Sequence, residues 1–256
     1  MYPGTESYRA TIIPSRRIDE CRWIPVCCGI LWQNGSAGMI LGISSLDVDV
    51  VNSDNTEQLV ALVKYVDQLK SDFGIKHISY SGILPGVLAS RRLRRASTEL
   101  PVTVTAIEVA IRELATHEFG NNSEVAVIVL GGRGFVGRRL IKILGSHLVY
   151  CIDRDGGESW PLHLIGKPAI LVNVASADAI SDYLDVMWPQ IAVLNEAYPD
   201  PSLELANRIK AIGCRLYHLS GLVGGAFPPF PYAYASSIPC CAGIEQDNAG
   251  VLIKQL

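Results

Sequence analysis

The stretch from Ser123 to Asp155 constrains the fold of this chain more than any other. SEVAVIVLGGRGFVGRRLIKILGSHLVYCIDRD reads as strand, glycine turn, helix, strand. Val125 to Leu130 is a short apolar run rich in β-branched residues, the pattern of a parallel strand buried on both faces. Gly132-Arg133-Gly134-Phe135-Val136-Gly137 follows and fits G-x-G-x-x-G. In such a loop the first glycine permits the tight turn, the second lets backbone approach a pyrophosphate, and the third lets helix pack closely on strand. The phosphates would rest on the helix N-terminus, where N–H groups and the helix dipole favour negative charge. Phe135, Val136, Leu140, Ile141 and Leu144 supply the inward helix face, and Gly145 is placed to cap its end. The next strand, His147 to Ile152, ends at Asp153, roughly 20 residues beyond the loop's start, where a ribose-binding carboxylate belongs. Two readings compete: a dinucleotide site, and an open α/β sheet whose glycines serve only the turn. The strand before, the helix after and the acid beyond favour the first.

Length and composition fit that core. The chain has 256 residues, of which 49% are hydrophobic and only 18% charged, which suits buried parallel strands and argues against long disorder. No apolar run approaches the roughly 20 residues needed to span a bilayer. The start, MYPGTESYRATIIPSRR, lacks a basic region followed by an apolar one, so a cytoplasmic location is expected. The seven cysteines are scattered or vicinal (Cys27-Cys28, Cys240-Cys241) and read as reduced thiols. The histidines are dispersed, so no zinc site is expected. A formal charge of −3 gives no reason to expect nucleic-acid binding.

The pattern divides the chain into an N-terminal α/β domain (1–101), a linker helix (102–120), a doubly wound parallel Rossmann sheet (121–239) and a returning C-terminal helix (240–256). In the first part, Ile24 to Trp32 and Met39 to Ile43 are expected strands around the turn Asn34-Gly35-Ser36. A helix is expected from Asp54 to about Phe73, with Leu59, Leu62, Val63, Val66 and Leu69 on one stripe and Lys64 on its surface. His77 to Tyr80 reads as a strand, and Val87 to Ala96 as a helix carrying Arg91, Arg92, Arg94 and Arg95. The linker helix runs to about Glu118. Beyond Asp155, DGGESWPLHLIGKP is too short for a full helix and another strand. Alternation resumes with strands Ala169 to Val174, Ile191 to Leu194 and Cys214 to Leu219, and helices Ala177 to Met187 and Pro201 to Ile212. A loop from Gly221 to Pro239 precedes a last helix, Cys240 to Lys254.

This order resembles the two-domain arrangement of shikimate dehydrogenase and methylenetetrahydrofolate dehydrogenase, which implies a substrate cleft between domains. A closer resemblance rests on Thr103-Val104-Thr105-Ala106, the glycine loop, Val174-Ala175-Ser176, Glu196-Ala197-Tyr198-Pro199, His218 to Val223 and Pro239-Cys240-Cys241-Ala242. Their order, over roughly residues 78 to 252, is similar to that of the acyl-carrier-protein reductases that form fatty aldehydes. That resemblance implies a cysteine that carries the acyl group, matched best by Cys240, and a small-molecule or carrier-bound acyl substrate.

The expected function is an NAD(P)H-dependent oxidoreductase. Asp153 favours NAD(H), since a carboxylate bonds ribose hydroxyls and repels a 2′-phosphate, while Arg154 is the feature that would admit NADP(H). Val174, Ala175 and Ser176, with Asn173 and Gly221, are placed to border the nicotinamide ribose, or simply to lead strand into loop. Cys240, expected in the first turn of a helix, is either a dipole-activated nucleophile or a small buried hydrophobe. Glu245, one turn on, is a proton carrier or a solvated side chain. Phe227, Phe230, Tyr232 and Tyr234 are candidates for an apolar acyl channel, and the arginine run either docks an acidic carrier or covers a solvated helix face. Assembly into a homo-oligomer is open. Two alternatives stand beside thioester reduction: a dehydrogenase of a small hydroxy or amino acid or imine, and a catalytically silent nucleotide-binding sensor or partner.

Overall fold

A computed structural model describes residues 9–10, 13–94, 97–120, 124–145, 148–231, 234–244 and 250–256. The chain forms two units: residues 1–102 with 222–249, and residues 103–221 with 250–256. Residues 222–239, expected with the nucleotide-binding half, thus cluster with the first unit.

In the first unit, β1 (Val26–Gln33) and β2 (Ser36–Gly42) pair as an antiparallel hairpin. Asn34 and Gly35 both take positive φ, 46° and 77°, the two-residue turn whose twist matches that of the strands it joins. Three helices follow: α1 (Asp47–Val51), α2 (Thr56–Asp72) and α3 (Leu84–Ser90). The expected stripe of α2 holds at its centre, where Leu59, Leu62 and Val66 are buried against Ile43, Tyr80, Leu84 and Leu88. Lys64 is exposed, as expected.

The strand expected at His77 to Tyr80 does not form. Side chains instead of a ladder satisfy this backbone. The Tyr80 N–H donates to the Glu99 carboxylate (2.6 Å), and the Ile78 carbonyl accepts from Arg94 and Thr98. The helix expected at Val87 to Ala96 is shifted: α3 begins at Leu84 and ends because Arg92 takes φ 57°, outside the helical region. Arg95 lies outside the described residues.

Helix α4 (Glu99–Phe119) carries the chain from the first unit into the second. Ser97 accepts from the Leu100 N–H at its start, and Pro101 sits in the first turn, where no N–H is missed. The second unit contains β3 (Ala126–Leu130), α5 (Phe135–Leu144), β4 (Val149–Ile152), β5 (Ala169–Asn173), β6 (Ile191–Asn195), α6 (Leu203–Ala211) and β7 (Arg215–Leu222). Strands β3 to β7 are joined in parallel pairs and every residue of β3, β5 and β6 is buried, as their unbroken apolar runs require. The α/β class is as expected.

Two elements differ. Ala177 to Val186 is a 3-10 helix, not an α-helix, and buries Ala177, Ile180 and Leu184. The last helix is absent among the described residues. Cys240–Ala242 is a single 3-10 turn closed by extended Gly243, and Val251–Gln255 is a strand, β9. A short strand β8 (Gly225–Phe227) joins the hairpin, giving the order β2-β1-β8, while β9 extends the large sheet to β4-β3-β5-β6-β7-β9. The Leu256 N–H donates to the Leu216 carbonyl (3.0 Å), which ties this segment to β7.

The peptide between β4 and β5 is short, as its sequence demands. It holds one 3-10 turn, Leu162–Leu164, and Trp160 stacks on Tyr183 with ring centroids 5.0 Å apart. The chain therefore steps from β3 outward to β4 and back past β3 to β5. That single reversal makes β3/β5 the place where loops diverge and a crevice opens at the C-terminal strand ends.

Candidate functional site

The loops after β3 and β5 meet at this reversal. Gly131, outside the expected motif, supplies the turn with φ 85°, and a Cβ there would lie 2.8 Å from the Ala175 Cβ. The turn role assigned to Gly132 thus falls to Gly131. Gly132 is needed for space instead, since a Cβ would come within 2.6 Å of the Cys151 sulfur and 2.8 Å of Ile141. Gly134 is the N-cap of α5, and no side chain caps it. A Cβ on Gly137 would overlap the Gly131 carbonyl oxygen, so this helix can approach its strand only through glycine. Phe135, Val136 and Gly137 form the first turn of α5, and Gly145 ends it at φ 55°.

Asp153 closes one side of the loop. Its carboxylate accepts from the Arg133 N–H (2.8 Å) and the Asp155 N–H (3.1 Å). Burial pushes this carboxyl up, but the N–H groups of Asp155, Arg133 and Arg154 and the Arg133 charge outweigh it and hold the group below the usual aspartate range. The Arg133 guanidinium donates to the carbonyls of Asp155 and Gly156, both at 2.7 Å, strapping the turn after β4 to the glycine loop. Arg154 is exposed and only 4.0 Å from Asp182, a loose surface pair.

Beyond the motif, the sheet carries a polar row that the sequence reading saw only at Asn173. Asn173, Asn195 and His218 are register partners on β5, β6 and β7, and all three are fully buried. The Asn173 amide donates to Asn195 Oδ1 (2.8 Å) and the Ser176 carbonyl (2.8 Å), and its Oδ1 accepts from the Ala175 N–H (3.2 Å). Asn195 donates to the Ala197 carbonyl (2.7 Å) and lies 3.1 Å from His218 Nδ1. His218 Nε2 is 3.3 Å from Asp200. Burial holds the imidazole below its usual range, against the pull of Asp200. The row fixes the shape of the Val174–Ser176 and Ala197–Asp200 loops, since bending either would strand buried polar atoms.

Glu196 directly follows Asn195 at the end of β6. Burial pushes its carboxyl up to about 8, and its N–H donates to the Asn173 carbonyl (3.0 Å). A carboxyl that keeps its proton at neutral pH beside the strand ends can donate one there. The signal in sequence was an apolar run, Ile191 to Leu194, ending in Asn-Glu.

Of the other expected residues, Gly221 does not follow the last strand. It lies within β7 at φ 110°. Cys240 belongs to the first unit, 5% exposed, in a three-residue turn with no helix dipole to favour a thiolate. Glu245 and Tyr232 lie outside the described residues. Phe227 is exposed on β8 and Phe230 is buried. Two of the arginines hold the fold: Arg91 donates to the Val51 carbonyl (2.6 Å), and Arg94 pairs with buried Glu99 (2.6 Å). Among the described residues no helix is long and apolar enough to cross a membrane. Compared with models of known protein families the chain matches none, and no curated protein matches it.

Proposed function

We propose that the second unit binds NAD(H) at the β3/β5 reversal and that the protein is an oxidoreductase of a small hydroxy, carbonyl or imine compound. The observation that carries this reading is the cradle itself: glycines at 131, 132 and 137 where any Cβ would collide, beside an uncapped helix start and an ionised Asp153. Gly132 to Gly137 would hold the pyrophosphate. Asp153 would accept from the adenosine ribose hydroxyls, each carboxylate oxygen having a second acceptor site. Its charge argues against a 2′-phosphate, and Arg154 is committed to neither. Bound there, the nicotinamide supplies or accepts a hydride. Ala175 and Ser176, held by Asn173, would line its side of the crevice, and Glu196 would give or take the accompanying proton.

Direct hydride transfer is favoured over a thioester route through Cys240, because the buried thiol lacks the helix expected to activate it. Titration with NADH and NADPH, followed by nicotinamide fluorescence, tests the reading. NADH should bind more tightly, and Gly137→Ala should weaken it at least tenfold, because overpacking of about 1–3 kcal/mol displaces the loop. Tighter NADPH binding would reverse the assignment of Asp153, and binding of neither would end it. If Cys240→Ser abolishes turnover while cofactor binding persists, the covalent thioester route takes the place of direct transfer.

A further inference from the structure

The polar row beneath the crevice admits one arrangement of protons. At one end the Ala175 N–H can only donate and the Ser176 carbonyl can only accept, so Asn173 must turn its Oδ1 to the first (3.2 Å) and its Nδ2 to the second (2.8 Å). Its remaining N–H then meets Asn195 Oδ1 (2.8 Å). Independently, the Ala197 carbonyl demands the Asn195 amide nitrogen (2.7 Å), and the two backbone anchors agree on the same orientation of both amides. The second N–H of that nitrogen is left for His218 Nδ1, 3.1 Å away. Nδ1 must therefore accept, which puts the imidazole proton on Nε2, on the side of Asp200 (3.3 Å).

A second proton on His218 has no place in that arrangement. On Nδ1 it would set N–H against N–H. Turning the Asn195 amide over relieves that contact, but it puts the amide oxygen against the Ala197 carbonyl and the amide nitrogen against the Asn173 nitrogen, two repulsions in exchange for one. All three side chains are fully buried, so a lost partner is not replaced by bulk water. Two charges bear on the ring among the described residues: Asp200, on the loop after β6, favours the imidazolium, and Lys254, on β9, opposes it. Burial is the larger influence and holds the ring below its ordinary 6.5. The neutral ring's contribution is thus complete above 6.5 and lost as pH falls through the lower folded value.

We propose that His218 is a positioning residue for the crevice: it holds the Val174–Ser176 and Ala197–Asp200 loops only while Nδ1 is free of a proton, so that acid releases both loops and weakens binding there. The inference rests on the NAD(H) reading only for the ligand that reports it. In ¹⁵N-labelled protein the imidazole nitrogens of His218 give its tautomer and charge. The Ala175 amide gives the state of its loop, through protection from hydrogen exchange relative to a free peptide at the same pH. At neutral pH His218 should carry one proton, on Nε2. As pH falls below 6.5 and the ring gains its second proton, Ala175 should lose protection. Over the same range NAD⁺, which survives acid, should bind about tenfold more weakly, the worth of one buried hydrogen bond. His218→Asn, whose Oδ1 can replace Nδ1 as acceptor but takes up no proton, should keep protection and affinity level with pH. His218→Leu offers no acceptor and should lack both throughout. A proton on Nδ1 at neutral pH, a ring that stays neutral until the protein unfolds, or protection that persists as the ring charges overturns the proposal. So does a fall in protection with pH in His218→Asn like that of the parent. If NAD⁺ does not bind yet Ala175 follows His218, the cofactor reading fails and the proton coupling stands. The parent's spectra decide the matter even if neither variant folds.

Discussion

In the second unit the amides of Asn173 and Asn195 and the ring of His218 bond one another in a row across three strands, while in the first the equally buried Tyr80 hydroxyl has no partner among the described residues. Both arrangements take polar groups out of water, but only the amides and the imidazole Nδ1 of the row repay that cost to one another. Mutual bonds make loop shape a property of the free protein. An unmet donor carries its desolvation cost uncompensated.

The largest expected effect breaks the row of Asn173, Asn195 and His218. Asn195→Leu would take a partner at once from one N–H of the Asn173 amide, the Ala197 carbonyl and one His218 nitrogen, and should cost about 3 kcal/mol or more in denaturant unfolding. A loss below about 1 kcal/mol would mean that the row is not what holds those loops.

A second effect concerns pH. The folded-state value of Glu196, about 8, lies above the ordinary value of 4.5, so its protonated form contributes stability fully present below about 4.5 and lost as pH rises through 8. Glu196→Gln cannot ionise and should escape that loss. Melting temperatures of the two proteins should diverge between pH 5 and 9, with the variant ahead at the alkaline end. Parallel curves would show that the carboxyl is ionised in the folded protein at neutral pH and remove it as a proton donor. The smallest effect is at Tyr80. Without ligand, Tyr80→Phe should change unfolding free energy by no more than about 1 kcal/mol, and in the stabilising direction. A marked loss would reveal a hidden partner for the hydroxyl and erase the contrast with Asn195.

The parts legible in the sequence are those whose cause is local. β3, α5 and β4 follow from an apolar run, a glycine turn and an amphipathic helix closed by Gly145, all within about thirty residues. The Asn34-Gly35 turn is equally self-contained. His77 to Tyr80 read as a strand because its composition suits one, but its backbone is satisfied by Glu99, 19 residues along the chain. Val251 to Gln255 carries β-branched and aliphatic residues that suit either state, and the bond from Leu256 to Leu216 goes with the strand. Asn173 could be noticed at a strand end. That Asn195 and His218 share its row depends on register, which no spacing within one segment reveals.

The division of the chain between its units has a consequence for biosynthesis. Each unit is assembled from two separated stretches, 1–102 with 222–249 and 103–221 with 250–256. A ribosome delivering the chain from its N-terminus exposes β1 without β8 until residue 227 has emerged, and β7 without β9 until residue 255. The first unit is complete only after residues 103–221 of the second have been made, and the second only after residues 222–249 of the first. Until then β1 and β7 each present an unpaired edge, the state most prone to pairing with another chain.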